Sequence, residues 1–206
     1  EWISLIENRT PELAEYLFEQ AREVSEAHYG KDIYIRGLIE FTNYCKNDCF
    51  YCGIRRSNKN ADRYRLSKEE ILECCEHGYE LGFRTFVLQG GEDGYYTDER
   101  AAEIVSEIKE KYPDCAVTLS IGEKSYDSYK RFYEAGADRY LLRHETYNCE
   151  HYSKLHPAEL SSKVRQQCLW DLKKIGYQVG TGFMVASPYQ TAEHLAEDML
   201  FIKELN

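Results

Sequence analysis

Nowhere in these 206 residues is there a run of eighteen apolar side chains, so no segment reads as a membrane-spanning helix. The first residues also lack the basic and apolar regions of a signal peptide. Basic charge is scarce as well. Lys and Arg number 26 against 36 Asp and Glu, and the formal charge of −10 argues against a nucleic-acid partner, whose binding requires clustered cations to replace counterions. Arg55, Arg56, Arg63 and Arg65 make only a local basic patch. The expected location is the cytoplasm, where eight cysteines read as reduced thiols or ligands and not as disulfides. There is no hairpin signal and no low-complexity linker. A hydrophobic fraction of 43% suffices for one sizeable core, and residues 1–206 read as a single domain.

Also missing is a second close pair of cysteines. Cys45, Cys49 and Cys52 share one stretch, Tyr44 to Gly53, while Cys74, Cys75, Cys115, Cys149 and Cys168 are scattered through helix-like or strand-like segments. Zinc ribbons and rubredoxin-like sites pair Cys-x2-Cys with a distant second pair. Three close thiolates are instead one ligand short of a closed structural metal site. They match three irons of a 4Fe-4S cube whose fourth iron stays open. The scattered cysteines read as small buried hydrophobes.

Alternation of helix and strand runs through the chain. Thr10-Pro11 is an N-cap followed by a first-turn proline, with Leu13, Leu17, Ala21 and Val24 at helical spacing, so residues 11–29 are expected to be helix up to Gly30. Ile33 to Phe41 reads as a strand and runs directly into the cysteines. Ser67-Lys68-Glu69-Glu70 is a capping box opening a helix toward Leu81. Further strands are expected at 86–89, 116–120, 140–143 and 179–185, with helices at 98–111, 126–135, 162–175 and 191–205. Five βα units in strict alternation predict a parallel sheet. Cys45, Glu92, Ser120, Glu145 and Ser187 fall at or just past five successive strand ends, which would converge on the mouth of a (β/α) TIM-type barrel. The chain begins at Glu1 without an initiator Met and stops at Asn206 inside a helical pattern, so a barrel cut short at its C-terminal side is expected.

Several of these strand ends carry chemistry. Gly90-Gly91 allows the backbone to approach a ligand closely, and Glu92 adds a carboxylate suited to an ammonium group, or to the positive end of a helix dipole. Tyr51 precedes the third cysteine, where an aromatic ring can shield a cluster or simply pack the loop.

Cys45-x3-Cys49-x2-Cys52, with Tyr51 before the last cysteine and Gly90-Gly91-Glu92 one βα unit later, resembles the radical S-adenosylmethionine (SAM) superfamily. The strings Gly37 to Cys45, Tyr51 to Arg56, Arg63 to Ser67, Thr118 to Glu123 and Arg139 to Thr146 are similar to the HydE family of FeFe-hydrogenase maturases. The resemblance implies a 4Fe-4S cluster on the three cysteines. Its open iron would chelate SAM, whose reductive cleavage yields methionine and a 5'-deoxyadenosyl radical. It further implies that Glu92 binds the methionine amino group, that Arg143, Glu145 and Arg165 line the SAM and substrate pocket with Thr118 and Ser120, and that Met184 lies beside the adenosyl portion. From the residues alone, Met184 could equally be core packing and Arg143–Glu145 a structural ion pair. The implied partners are a small or organometallic iron substrate, other hydrogenase-maturation proteins and an electron donor such as reduced ferredoxin, in an anaerobic setting.

Departures from that family are visible. Where it shows Gly-Leu-Pro-Gly-Gln-Thr after the fifth strand, this chain has Ala186-Ser187-Pro188-Tyr189-Gln190-Thr191. Methylornithine synthase and biotin synthase are related alternatives, and a non-enzymatic iron–sulfur carrier is one of another class.

Overall fold

A computed structural model describes residues 1–206. A short helix α1 (Trp2–Glu7) precedes α2 (Pro11–Tyr29), whose N-cap Thr10 hydroxyl accepts the Leu13 amide at 3.2 Å. Alternation then begins with β1 (Gly37–Thr42), α3 (Lys68–Glu80), β2 (Thr85–Gly90) and α4 (Asp98–Lys111). It continues through β3 (Ala116–Ser120), α5 (Tyr126–Glu134) and β4 (Arg139–Leu141). Two helices, α6 (Cys149–Leu155) and α7 (Ser162–Ile175), separate β4 from β5 (Gln178–Gly180), and α8 (Ala192–Leu205) follows. The capping box at Ser67 and Glu70 forms in both directions. No helix is long and apolar enough to cross a membrane.

The five strands are all parallel and lie in chain order, β1-β2-β3-β4-β5. Helices α3, α4, α5 and α7 pack successively against one another along the sheet. A doubly wound sheet reverses its strand order at a switch point, whereas an unreversed parallel sheet with its helices in sequence is the wall of a barrel. The core lies between sheet and helices: Phe41, Phe86, Leu88, Val117, Leu119 and Tyr140 meet Ile71, Ile104, Ile108, Tyr129, Phe132 and Leu169. Alternate residues face the other way. Leu38 is exposed and Thr118, on the same face two strands on, is buried. This is a partial barrel, with β1 and β5 at its edges.

Two strand boundaries differ from the sequence expectation. Ile33, Tyr34 and Ile35 are exposed and outside β1, because pairing with β2 starts at Gly37 opposite Phe86. Their β-branched and aromatic character has no neighbour to pair with, and propensity without a partner makes no strand. At the other edge β5 ends at Gly180, and beyond it only a single bridge joins Phe183 to Glu145. Helices α1 and α6 were not foreseen.

Candidate functional site

The loop after β1 carries Cys45, Cys49 and Cys52, all half-buried. Its shape is set by main-chain contacts more than by packing. Lys46 donates its amide to the Glu92 carbonyl at 3.0 Å, and Phe50 donates to Leu155 of α6 at 3.0 Å. The Arg63 guanidinium reaches the carbonyls of Asn43, Ile54, Arg55 and Asn58, the last three at 3.0, 2.8 and 3.2 Å. From the sequence Arg63 had been part of a basic patch, and it is in fact a staple.

The loop lies tight against the end of β2. A Cβ on Gly91 would come within 2.1 Å of the Tyr44 carbonyl oxygen, and one on Gly90 within 2.7 Å of Thr42 Cγ2. Only glycine fits the first position, since the obstacle is backbone. Asp93, two residues on, fastens the same corner. It accepts Arg65 at 2.6 and 2.9 Å, the Thr42 hydroxyl at 2.8 Å and the Tyr95 amide at 3.0 Å. Burial pushes its carboxyl up, but these donors outweigh that and hold it below the ordinary value. Sequence reasoning missed Asp93 because its partners are far away in the chain.

Glu92 is buried and held at both ends. One oxygen accepts the Glu123 amide at 3.1 Å and the other lies 3.1 Å from the Lys46 ammonium. A Cβ on Gly122, where φ is +79°, would sit 2.1 Å from Glu92 Cγ, so this carboxylate is gripped by the β3 loop. Lys46 is an internal example of the ammonium partner expected for Glu92. Its side chain is 65% exposed, so a ligand ammonium could displace it at small cost.

Across the strand ends, Arg165 of α7 ties three elements together. It donates to Glu123 at 2.8 Å and to the Arg143 carbonyl at 2.6 Å, and it stands 3.7 Å from Glu145 Oε1. Burial works against its charge, and Tyr152, Glu123 and Glu145 outweigh it. Arg143 is exposed and lies 3.4 Å from the same Glu145 oxygen. Glu145 is 3% exposed, and burial raises its carboxyl pKa against the opposing pull of Arg143 and Arg165. Its Oε2 has no partner, nor has the buried hydroxyl of Thr118. Buried polar atoms left unpaired in a cleft are where a polar ligand is expected to bind. Ser120 is half-buried and stands opposite Gln89 in the sheet register. Met184 is half-buried and outside the hydrophobic cluster, donating its amide to the Glu145 carbonyl at 2.9 Å. Ser187 points elsewhere, 3.4 Å from His151.

Tyr51 joins the cysteine loop to α6. Its hydroxyl lies 3.1 Å from His156 Nε2, while His156 Nδ1 lies 2.9 Å from the Tyr152 carbonyl. Burial pushes His156 down to about 4, so it is neutral at pH 7. Tyr51 is raised, chiefly by burial.

The donor set suits a cluster better than a single ion. No three His, Cys, Asp or Glu side chains come together closely enough to ligate one metal ion. In a cube each thiolate binds a different iron, so its three sulfurs need not converge on a point. Burial raises the thiols of Cys45 and Cys49, the latter to about 11 with help from Cys45 and against the opposing pull of Arg165. The residues present therefore fit a 4Fe-4S group.

Comparison with known proteins agrees with this geometry. The family described as the Radical SAM superfamily matches residues 39–202. The chain is similar to the [FeFe] hydrogenase maturase subunit HydE of Thermotoga maritima, 47% identical over 190 residues, which is 92% of this chain and 54% of that protein. It is 33% identical over 183 residues to 3-methylornithine synthase of Methanosarcina acetivorans, covering 88% of this chain and 51% of that one. Among solved structures, methylornithine synthase PylB superposes with a TM-score of 0.91 at 29% identity, over 100% of this chain and 60% of its own. The maturase HydG does so with 0.83 at 26%, over 96% and 45%. The chain thus spans about half the length of the curated relatives it matches.

Proposed function

The chain belongs to the radical SAM superfamily, and on that premise we propose that it forms the cofactor-binding wall of a HydE-type maturase that acts in assembly of the FeFe-hydrogenase active site. Cys45, Cys49 and Cys52 hold the 4Fe-4S cluster. When bound, the cluster supplies the electron for reductive cleavage of SAM. Everything else is done by this chain's side chains. Gly90 and Gly91 let the cysteine loop pack onto the end of β2, and Glu92 takes the methionine ammonium in place of Lys46. Arg143, Glu145 and Arg165 orient the carboxylate and ribose end from beyond β4, with Thr118, Ser120 and Met184 beside them. Tyr51, braced by His156, screens the cysteine loop from water.

The observation that carries this reading is the free Oε2 of buried Glu145, a residue inside the string Arg143 to Thr146 whose Oε1 is the oxygen facing the two arginines. A carboxylate kept out of water without a full set of partners is costly unless a ligand completes it. The partners proposed are a small organometallic iron substrate, a low-potential electron donor such as reduced ferredoxin and the other maturation proteins, in the anaerobic cytoplasm. A second reading, a 3-methylornithine synthase, is supported by the likeness of the backbone.

Anaerobic reconstitution with iron and sulfide, then dithionite and SAM, tests the proposal. The expected products are 5'-deoxyadenosine and methionine, with both cluster and cleavage lost in Cys49→Ala. An iron-loaded protein giving neither product would point to a carrier instead. Formation of 3-methylornithine by the protein would favour the second reading.

A further inference from the structure

Glu145 occupies an unusual backbone. Its φ is +67°, and the His144 carbonyl accepts the Thr146 amide at 2.8 Å across it. A three-residue turn closed around a positive φ is the rare, strained kind of γ-turn, and a glutamate gains nothing locally from it. Something must hold it.

The residues on either side of the turn are anchored in the helix layer. His144 is wholly buried, its ring edge-on to Phe201 at 5.0 Å and tilted against Phe183 at 5.9 Å. Its Nδ1 lies 2.9 Å from the Thr181 hydroxyl, and its Nε2 is 3.2 Å from Asp198 Oδ1, off the line of a hydrogen bond. The same Asp198 oxygen accepts the Tyr147 amide at 2.6 Å. Asp198, on α8, is itself fully buried. One carboxylate therefore bonds the main chain two residues beyond Glu145 and stands against the ring one residue short of it, its Oδ2 unpartnered.

We propose that Asp198 is a positioning residue for SAM binding: by clamping His144 and Tyr147 on either side of the strained turn, it aims the Glu145 carboxylate into the site. This deepens the proposed function and rests on its assignment of Glu145 as a ligand contact. Asp198 touches no ligand. It acts by keeping Glu145 from relaxing to an ordinary negative φ, which would swing its carboxylate away from Arg143 and Arg165.

The test is SAM affinity by calorimetry on the anaerobically reconstituted protein, in a double-mutant cycle. Asp198→Leu, with the same branching but no acceptor, is expected to weaken binding about tenfold or more. Asp198→Asn, which keeps the oxygen, is expected to stay within about threefold. In a Glu145→Ala background Asp198→Leu should have no further effect, because coupled residues are not additive. If Asp198→Leu does not fold, His144→Phe, which keeps the ring but loses both polar arms, replaces it with a loss of about fivefold expected. Equal losses with and without Glu145, or no loss where Glu145→Ala alone weakens binding, would overturn the clamp and leave the site assignment standing. If Glu145→Ala binds SAM as well as the unaltered protein, the assignment falls and the clamp with it.

Discussion

The ends of β1 and β2 and the ends of β4 and β5 lie along one edge of the parallel sheet, and each forms its wall by different means. On the first wall, carbonyls, amides and glycines set the geometry: Gly91 lies under Tyr44, Arg63 gathers four carbonyls, and Asp93 is fully partnered. On the second, side-chain charge is buried with a vacancy in its hydrogen bonding, and three residues with side chains, Glu145, Ala186 and Tyr189, sit at positive φ. The contrast teaches where each wall can fail. The first fails by steric intrusion and the second by relaxation, since its residues already pay for their conformation.

Gly91→Ala should break the first wall outright. The added Cβ meets backbone at 2.1 Å, and a loss of about 3 kcal/mol is expected, read as a lower Tm and poor iron loading. Asp93→Asn should cost about 2 kcal/mol at neutral pH. Because the folded-state pKa of Asp93 is lowered from 3.8, its contribution is complete above that value and is lost as pH falls through the lowered one. The Tm gap between the variant and the unaltered protein should therefore close in acid.

The second wall should respond with the opposite sign. Glu145 has a raised folded pKa, so any stability it lends is present below 4.5 and is lost as pH rises through that raised value. Relative to the unaltered protein, Glu145→Gln is then expected to be more favourable to stability at pH 8 than at pH 4, while SAM affinity drops. Equal Tm shifts at both pH values would remove burial of charge as the cause. The smallest effect is expected for Tyr189→Gly. Its φ of +65° favours glycine, and after the entropy that glycine adds to the unfolded chain the net gain is about 0.5 kcal/mol.

The same contrast explains what could be read from the chain. Helix starts were legible because their signals are local: Thr10 with Pro11 and Ser67 with Glu70 cap as their sequence suggests, and the helix expected from 191 starts at Ala192 with Thr191 as its cap. The alternation that identified a barrel wall is local too. Strand limits were not, since Ile33 to Ile35 lack a neighbour to pair with. The cysteines, Gly91 and Glu92 are close in sequence to the features that mark them. Asp198 is 0% exposed and 51 positions from the Tyr147 amide it accepts, a link no spacing rule reveals. Positive φ at Ala186 and Tyr189 falls where the resembling family carries glycine, so the departure seen in the sequence was a conformational one.

Arg63 has a consequence for how this protein can change over time. It recognises carbonyl oxygens of Asn43, Ile54, Arg55 and Asn58, and every residue type carries one. The path of the chain behind the cysteines is thus recorded on atoms that mutation at those four positions leaves in place. Sequences descended from this one can drift at 54 and keep this tie as long as the guanidinium survives, whereas Arg55 and Asn58 also hold the carbonyls of Cys52 and Gly53 through their own side chains.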